Sequence, residues 1–440
     1  MTDFPSDFTW GVSTSAYQIE GAPAAGGKGE SIWDRFAHRP GNVADGSTGD
    51  VATDHYHRFP EDVALLAELG VQAYRFSVSW PRLLPEGRGR VAAKGLEFYD
   101  RLLDLLVANG VRPWLCLYHW DLPQALQDRG GWTARDTAYY FADYAELVAE
   151  RLGDRVDTFL MLNEPNVHAL LGHLAGQHAP GLSGLSDYLA AVHHQNLAVA
   201  AGVERLREMG AWRLGTVVNL QPIEAASDSE DDRAAAALAD AAYNRASLDP
   251  LFSGAYPAAL APLMEAVVRG DDLQALRRPL DLLGVNHYTV QTVAAGEGPI
   301  GLRVVEPPPG SEVTAMGWRV APEALTRQLL ELKERYGNPP VVVTENGAAY
   351  PDPPPVRGRV DDRPRVDYLR RYLQATAEAI AQGCDVRGYF VWTLVDNFEW
   401  AEGFTQRFGI VHLDRETLRR TPKESFRFYQ RVVAGGRLPD

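Results

Sequence analysis

Cysteine is nearly absent: the 440-residue chain has two, Cys116 and Cys384, each in an apolar context. That is too few for a disulfide framework and predicts free buried thiols. No run approaches the roughly eighteen apolar residues a membrane span needs. The start, "MTDFPSDFTW", has neither the basic residues nor the apolar stretch of an export signal. Together these predict a cytoplasmic protein with no membrane partner. Positive charge is also short: 43 Lys and Arg stand against 58 Asp and Glu, a formal net charge of -15. Such a surface repels nucleic-acid phosphates, so a neutral partner is expected. No Gly-x-Gly-x-x-Gly follows a candidate strand, and there is no His-Glu-x-x-His or cysteine cluster. His55 and His57 are two apart and His193 and His194 adjacent, spacings that do not chelate on a helix. Neither a metal nor an organic cofactor is implied.

With 45% hydrophobic and 23% charged residues, the chain can bury a large core. Eight short apolar or β-branched runs recur: "FTWGVST", "AYRFSVS", "RPWLCLYHW", "DTFLMLNE", "RLGTVVNL", "DLLGVNHY", "PVVVTENG" and "VRGYFVWTL". Between them lie segments such as "EDVALLAELG", with apolar residues at steps of three and four and a closing Gly. Strands apolar on both faces, joined by helical crossovers, predict a parallel sheet. Eight units predict its closure into one (β/α)8 barrel over residues 1–440, with an open doubly wound sheet as the other arrangement the pattern allows. Length alone suggests about three domains, but barrels with insertions can exceed about 400 residues. Three segments break the rhythm: the acidic, Ala-rich 228–245 and the Pro-rich 296–310 and 350–367. Each follows a strand and is expected as an elaborated loop on the C-terminal rim, where barrels build active sites.

Polar and aromatic residues collect at the strand ends: His119 and Trp120, Asn163 and Glu164, Asn286 and Tyr288, Glu345 and Asn346, and Trp392. On a parallel barrel these converge, so Glu164 and Glu345, from the fourth and seventh strands, face each other across the mouth. Two carboxylates across a pocket are the apparatus of glycoside hydrolysis; either glutamate alone reads as readily as a salt-bridged strand end. Trp392, Glu399 and Trp400 in "WTLVDNFEW" offer sugar-stacking surfaces and hydrogen bonds, or else a packing cluster under a loop. Gln18 and Glu20 follow the first strand, where an exposed polar turn is the plain alternative. Arg75 lies within an apolar strand and needs a buried acid. A barrel interior offers it Glu345, or a structural pair with some other acid.

These residues carry a resemblance. The ordered segments "FTWGVSTSAYQIEG", "DHYHRFPEDVALLAELGVQAYRFSVSWPRLLP", "HWDLPQ", "NEP", "GHLAGQHAPG", "GVNHYT", "MGWRVAPEAL", "TENG", "WTLVDNFEW" and "PKESF" make the chain similar to glycoside hydrolase family 1, the β-glucosidase and β-galactosidase family. The resemblance implies a (β/α)8 barrel and a retaining double displacement, with Glu164 as acid/base and Glu345 as nucleophile. It further implies glycone contacts at Gln18, His119, Asn163, Glu399 and Trp400, a floor at Trp392, and Asn286, Tyr288 and Phe408 near the nucleophile. Met161 and His287 depart from the family's usual Thr and Tyr, and residues 350–367 carry no familiar aglycone signature. The implied substrate is a β-glycoside or short oligosaccharide such as cellobiose, with glucose, galactose and fucose left open. Arg75 and Tyr288 are expected to keep Glu345 ionised, and Asn163 to bind the sugar 2-hydroxyl. Retention calls for carboxyl groups about 5 to 5.5 Å apart. Two rivals are weighed. A 6-phospho-β-glycosidase needs a cationic loop where this chain has Glu399 and Trp400. A non-catalytic sugar-binding barrel would lack one of the two glutamates.

Overall fold

The structure, a computed structural model, describes residues 4–298 and 300–439. Each of the eight apolar runs contains a strand: β1 (Thr9–Ser13), β2 (Ala73–Ser77), β3 (Arg112–Tyr118), β4 (Thr158–Asn163), β5 (Arg213–Asn219), β6 (Leu282–Asn286), β7 (Val341–Asn346) and β8 (Val386–Trp392). Neighbours in sequence pair in parallel, and β8 pairs with β1, so the sheet closes and leaves no open edge. The open-sheet alternative is thereby removed.

The outer layer comprises α1 (His55–Leu69), α2 (Ala93–Ala108), α3 (Asp136–Leu152), α4 (Leu185–Met209), α5 (Glu230–Asp240), α6 (Ala246–Ser253), α7 (Pro322–Tyr336), α8 (Arg363–Ala381) and α9 (Glu424–Gly435). Gly70 and Gly337 end α1 and α7 in the left-handed conformation that glycine adopts without a Cβ penalty. Inside the barrel Ala73, Trp114, Cys116, Leu160, Val217, Leu282, Val342 and Phe390 fill the interior below the rim. A Cβ on Gly11 would stand 2.3 Å from the Phe390 ring, so β1 must present glycine where that ring lies. Both cysteines are free and buried. No helix among the described residues is long and apolar enough to cross a membrane.

The three irregular segments are more ordered than loops. Residues 228–245 are mostly α5 and a π-helical turn, Ala241–Arg245, because Ser229 caps α5 and its alanines favour helix. Residues 296–310 contain Leu302–Val305, the edge of a three-stranded sheet with Gln291–Ala295 and Ile223–Ala225. Residues 350–367 bury charge. Arg365 donates to Asp352 at 2.9 Å and Asp362 at 2.5 Å, and Lys423 to Asp352 at 2.6 Å and Asp396 at 2.7 Å, with all five members of the network out of water. This ties the start of α8 to the start of α9. We expect Arg365→Ala, which leaves the buried Asp362 without its cation and Asp352 with Lys423 alone, to cost about 3–5 kcal/mol, measured as a shift of the urea unfolding midpoint. A loss under 1 kcal/mol would mean the network is solvated.

Candidate active site

A strict period of two cannot bring Asn163 and Glu345 inward. On β4 Leu160 points into the barrel, so Leu162 should follow it and Asn163 should face the helices. Instead β4 holds one extra residue against β5: Leu160 lies opposite Gly215 but Asn163 opposite Val217. On β7 Val343 lies opposite Val285 and Glu345 opposite Asn286, again one residue more than the partner strand. Each bulge re-aims the strand end just where the carboxylate appears. Glu164 then sits at φ 48°, its N–H on the Val217 carbonyl at 2.8 Å, with Pro165 opening a short helix behind it. Trp120 (φ 77°) and Trp400 (φ 48°) share this strained left-handed backbone, which costs of order 1–3 kcal/mol per residue. Trp120 is anchored by its indole N–H on the Asn163 carbonyl at 2.9 Å, and Trp400 by packing between Trp120 and Trp33.

Glu164 and Glu345 face one cavity of about 400 Å³. Behind its wall runs a continuous hydrogen-bonded network. Arg75, fully buried, donates to Glu345 Oε1 at 2.5 Å and to Asn163 Oδ1 at 2.6 Å, and the Tyr288 hydroxyl donates to Glu345 Oε2 at 2.7 Å. Asn286 Nδ2 donates to Glu164 Oε1 at 2.8 Å and Asn163 Oδ1 at 3.0 Å, held by Thr344 on its own carbonyl. Asn219 Nδ2 completes the contacts to Glu164 at 2.8 Å, and Tyr243 in turn donates to Asn219. Gly347 is required beside Glu345: a Cβ there would stand 1.8 Å from the Trp392 carbonyl oxygen.

The two acids differ in their partners. Burial, then the charge of Glu345, raises Glu164 to about 8, and only neutral amides and the more distant Arg75 oppose this. Burial also raises Glu345, but Arg75 and Tyr288 bind its ionised form directly and pull it back. Of the pair, Glu345 therefore carries the charge and Glu164 the proton. Glu399 is raised to about 8 by desolvation and by both glutamates. Burial and Arg75 hold His119 well below its ordinary value, so it is neutral. Its Nε2 accepts from Asn163 at 3.0 Å, which leaves the proton on Nδ1.

Of the residues singled out from sequence, His119, Glu164, Tyr288, Glu345, Trp392, Glu399, Trp400 and Phe408 line the cavity. Arg75, Asn163 and Asn286 lie in the network behind it, and Gln18 donates to the Phe398 carbonyl at 2.9 Å and to Glu399 at 3.3 Å. The exposed-turn reading of Gln18 and Glu20 is wrong: both are buried, and Glu20 takes Arg82 and Tyr99 rather than facing the cavity. Of the three irregular segments, 350–367 contributes nothing to the cavity lining, because its carboxylates turn to Arg365 and Lys423; Tyr243 and Val304 come from the other two. Met161 packs outward against Gly202 of α4, and His287 bonds the Leu220 carbonyl at 2.9 Å, so both departures serve packing. His55, His193 and His194 are buried hydrogen-bonding groups and His57 an exposed one on Asp54. No group of three metal-ligating side chains that could hold an ion occurs among the described residues. Sequence reading missed Asn219, Tyr243 and Trp318. Asn219 ends β5 just as Asn163 and Asn286 end their strands, and that was the available signal.

The folded chain keeps the Glu164 proton to about pH 8, whereas the group's ordinary value is 4.5. Folding thus binds a proton across that window, and stability falls as pH rises through it. We expect Glu164→Gln to flatten this decline, with a gain over wild type at pH 8 that shrinks towards pH 4.5, read from urea unfolding at each pH. Parallel curves would show that Glu164 is ionised throughout.

The profile of glycosyl hydrolase family 1 matches residues 1–437. "Beta-glucosidase A" of Acetivibrio thermocellus is 44% identical over 98% of each chain, and the "Bifunctional beta-D-glucosidase/beta-D-fucosidase" of Bifidobacterium breve is 43% identical over 98% of each. The solved family 1 β-glucosidase of Thermotoga maritima superposes with a TM-score of 0.96 at 44% identity, covering 100% of both chains. With a bulged glutamate ending the fourth and seventh strands of a closed barrel, and this likeness along its whole length, the chain belongs to glycosyl hydrolase family 1.

Proposed function

We propose that the chain is a retaining β-glucosidase, hydrolysing terminal non-reducing β-D-glucosyl residues, with residues 1–440 acting as one catalytic domain. The observation that carries this reading is the asymmetry of the acid pair: one cavity, two glutamates, and a guanidinium on only one of them. Glu164 gives its proton to the glycosidic oxygen while Glu345 attacks the anomeric carbon from the opposite face, expelling the aglycone as an alcohol. The glycosyl ester formed on Glu345 removes that charge. Glu164, now ionised and no longer repelled, takes a proton from water, which displaces Glu345 and restores the β configuration.

Neighbouring groups fit the sugar. Asn163 spends one amide N–H on His119 and has a second for the 2-hydroxyl; the His119 Nδ1 proton, without a protein partner, suits another hydroxyl. Gln18 and Glu399 are assigned to the outer hydroxyls, Trp392 and Trp400 to the apolar ring faces, with Asn286, Tyr288 and Phe408 around the nucleophile. Glu399 offers an acidic group and no positive charge where a 6-phosphate would need a cation, which disfavours a 6-phospho substrate. The bifunctional relative supports a secondary β-fucosidase activity, since D-fucose differs from glucose only at the outer 4- and 6-positions. Cellobiose, from cellulose degradation, is a proposed natural substrate.

Purified protein is expected to hydrolyse p-nitrophenyl β-D-glucoside, with kcat/KM falling as pH rises through about 8, where Glu164 loses its proton. Glu164→Gln should cost about 10²–10⁴-fold and remove that basic limb. Glu345→Gly should abolish hydrolysis yet yield α-glucosyl azide with added azide, whereas Glu164→Ala with azide should yield the β anomer. Products of the opposite anomers would reverse the two roles.

A further inference from the structure

Residues 396–409 bring Glu399, Trp400 and Phe408 to the cavity, yet they lie outside the barrel sheet, and their regular structure is a single 3-10 turn, Trp400–Glu402. Side chains must therefore hold the segment in place. Gln18 holds its tip, through the Phe398 carbonyl at 2.9 Å and Glu399 at 3.3 Å. Its two ends meet at Asp396, whose Oδ1 accepts from the Gly409 N–H at 3.0 Å and from Lys423 Nζ at 2.7 Å. The approach is close: a Cβ on Gly409 would stand 2.1 Å from the Asp396 nitrogen.

The cations of the buried charge network thus reach this segment as well as α8 and α9. Lys423 holds Asp396, and Arg365 Nη2 donates to the Arg407 carbonyl, next to Phe408, at 2.6 Å. Lys423 is itself fully buried and fixed, by its backbone N–H on the Ile410 carbonyl at 2.9 Å and by Asp352. A buried ion pair is weak evidence for stability, and its best-attested use is to select one arrangement. The bonds that hold Glu164 and Glu345 come from Asn219, Asn286, Arg75 and Tyr288, all outside this segment. A disturbance at Lys423 therefore falls on the sugar contacts and spares the two acids.

We infer that Lys423, which does not line the cavity, is a positioning residue for sugar specificity: through Asp396 it fixes the segment that presents Glu399, and so sets the preference for sugars carrying a 6-hydroxymethyl group. The inference rests on the β-glucosidase reading, in which Glu399 takes the outer hydroxyls, and adds to it a determinant remote from the cavity. The test compares kcat/KM for p-nitrophenyl β-D-glucoside and β-D-xyloside, the latter lacking the 6-hydroxymethyl group. In Lys423→Met, which keeps the length of the side chain and loses its charge, the glucoside-to-xyloside ratio should fall about tenfold, the worth of one hydrogen bond to a charged group. Asp396→Ala should act in the same direction and stands in if Lys423→Met fails to fold. Asp396→Asn, which still offers Gly409 an oxygen, should keep most of the wild-type ratio. Lost stability alone lowers both sugars together. A wild-type ratio in both Lys423→Met and Asp396→Ala therefore overturns the inference, as does an Asp396→Asn ratio no better than that of Asp396→Ala. Cleavage of neither glycoside by the wild-type protein overturns the activity with it.

Discussion

A guanidinium buried inside a β-barrel is the constraint on which the site depends. Arg75 has no exposure to water and no neutral form to retreat into, so its charge must be met within the protein. It is met by Glu345 at 2.5 Å and by the Asn163 oxygen at 2.6 Å. Because one side chain satisfies groups on β4 and β7 at once, it fixes the distance between strands that are far apart in sequence. The apolar layer beneath, with Trp114 and Phe390, excludes the water that would otherwise screen the pair.

The polar layer above it follows from that choice. Asn163 spends its oxygen on Arg75 and Asn286, leaving its amide for His119 and for a ligand. Asn286 and Asn219 both spend their amides on Glu164, so the second acid is positioned by neutral donors that only partly offset its burial and supply no positive charge. Neutral carboxamides ending β5 and β6 orient Glu164, while a guanidinium holds Glu345. The strained backbone at Glu164, Trp120 and Trp400 is held in place by this same surround.

The barrel was legible because its strands are apolar on both faces and its helices keep a 3.6-residue period, so all eight runs could be placed without tertiary information. The convergence of Glu164 and Glu345 was legible for the same reason, since strand ends on a closed parallel sheet share a rim. What escaped was phase. Nothing in "TFLMLNE" announces that a residue is added between Leu160 and Asn163, because a bulge is a property of two paired strands and only one is visible at a time. Ordered insertions escaped likewise: Leu302–Val305 is a strand only because Gln291–Ala295 offers it an edge. Gln18 and Glu20 looked exposed because nothing local shows that residues 397–399, or Arg82, will cover them.

One charge therefore organises the proton inventory of the cavity. With Glu345 ionised against Arg75, any second negative charge nearby is opposed, and both Glu164 and Glu399 are raised by it as well as by burial. Burial alone would raise all three acids and select none as the anion; the guanidinium breaks that tie. Neutralising Glu345 as an ester would lift the repulsion from Glu164 and Glu399 together, freeing the former to accept a proton and the latter to bind its hydroxyls as an anion. In the proposed double displacement the acid and base roles of Glu164 then need no movement of the chain, because the change of role is written in the charge of its neighbour.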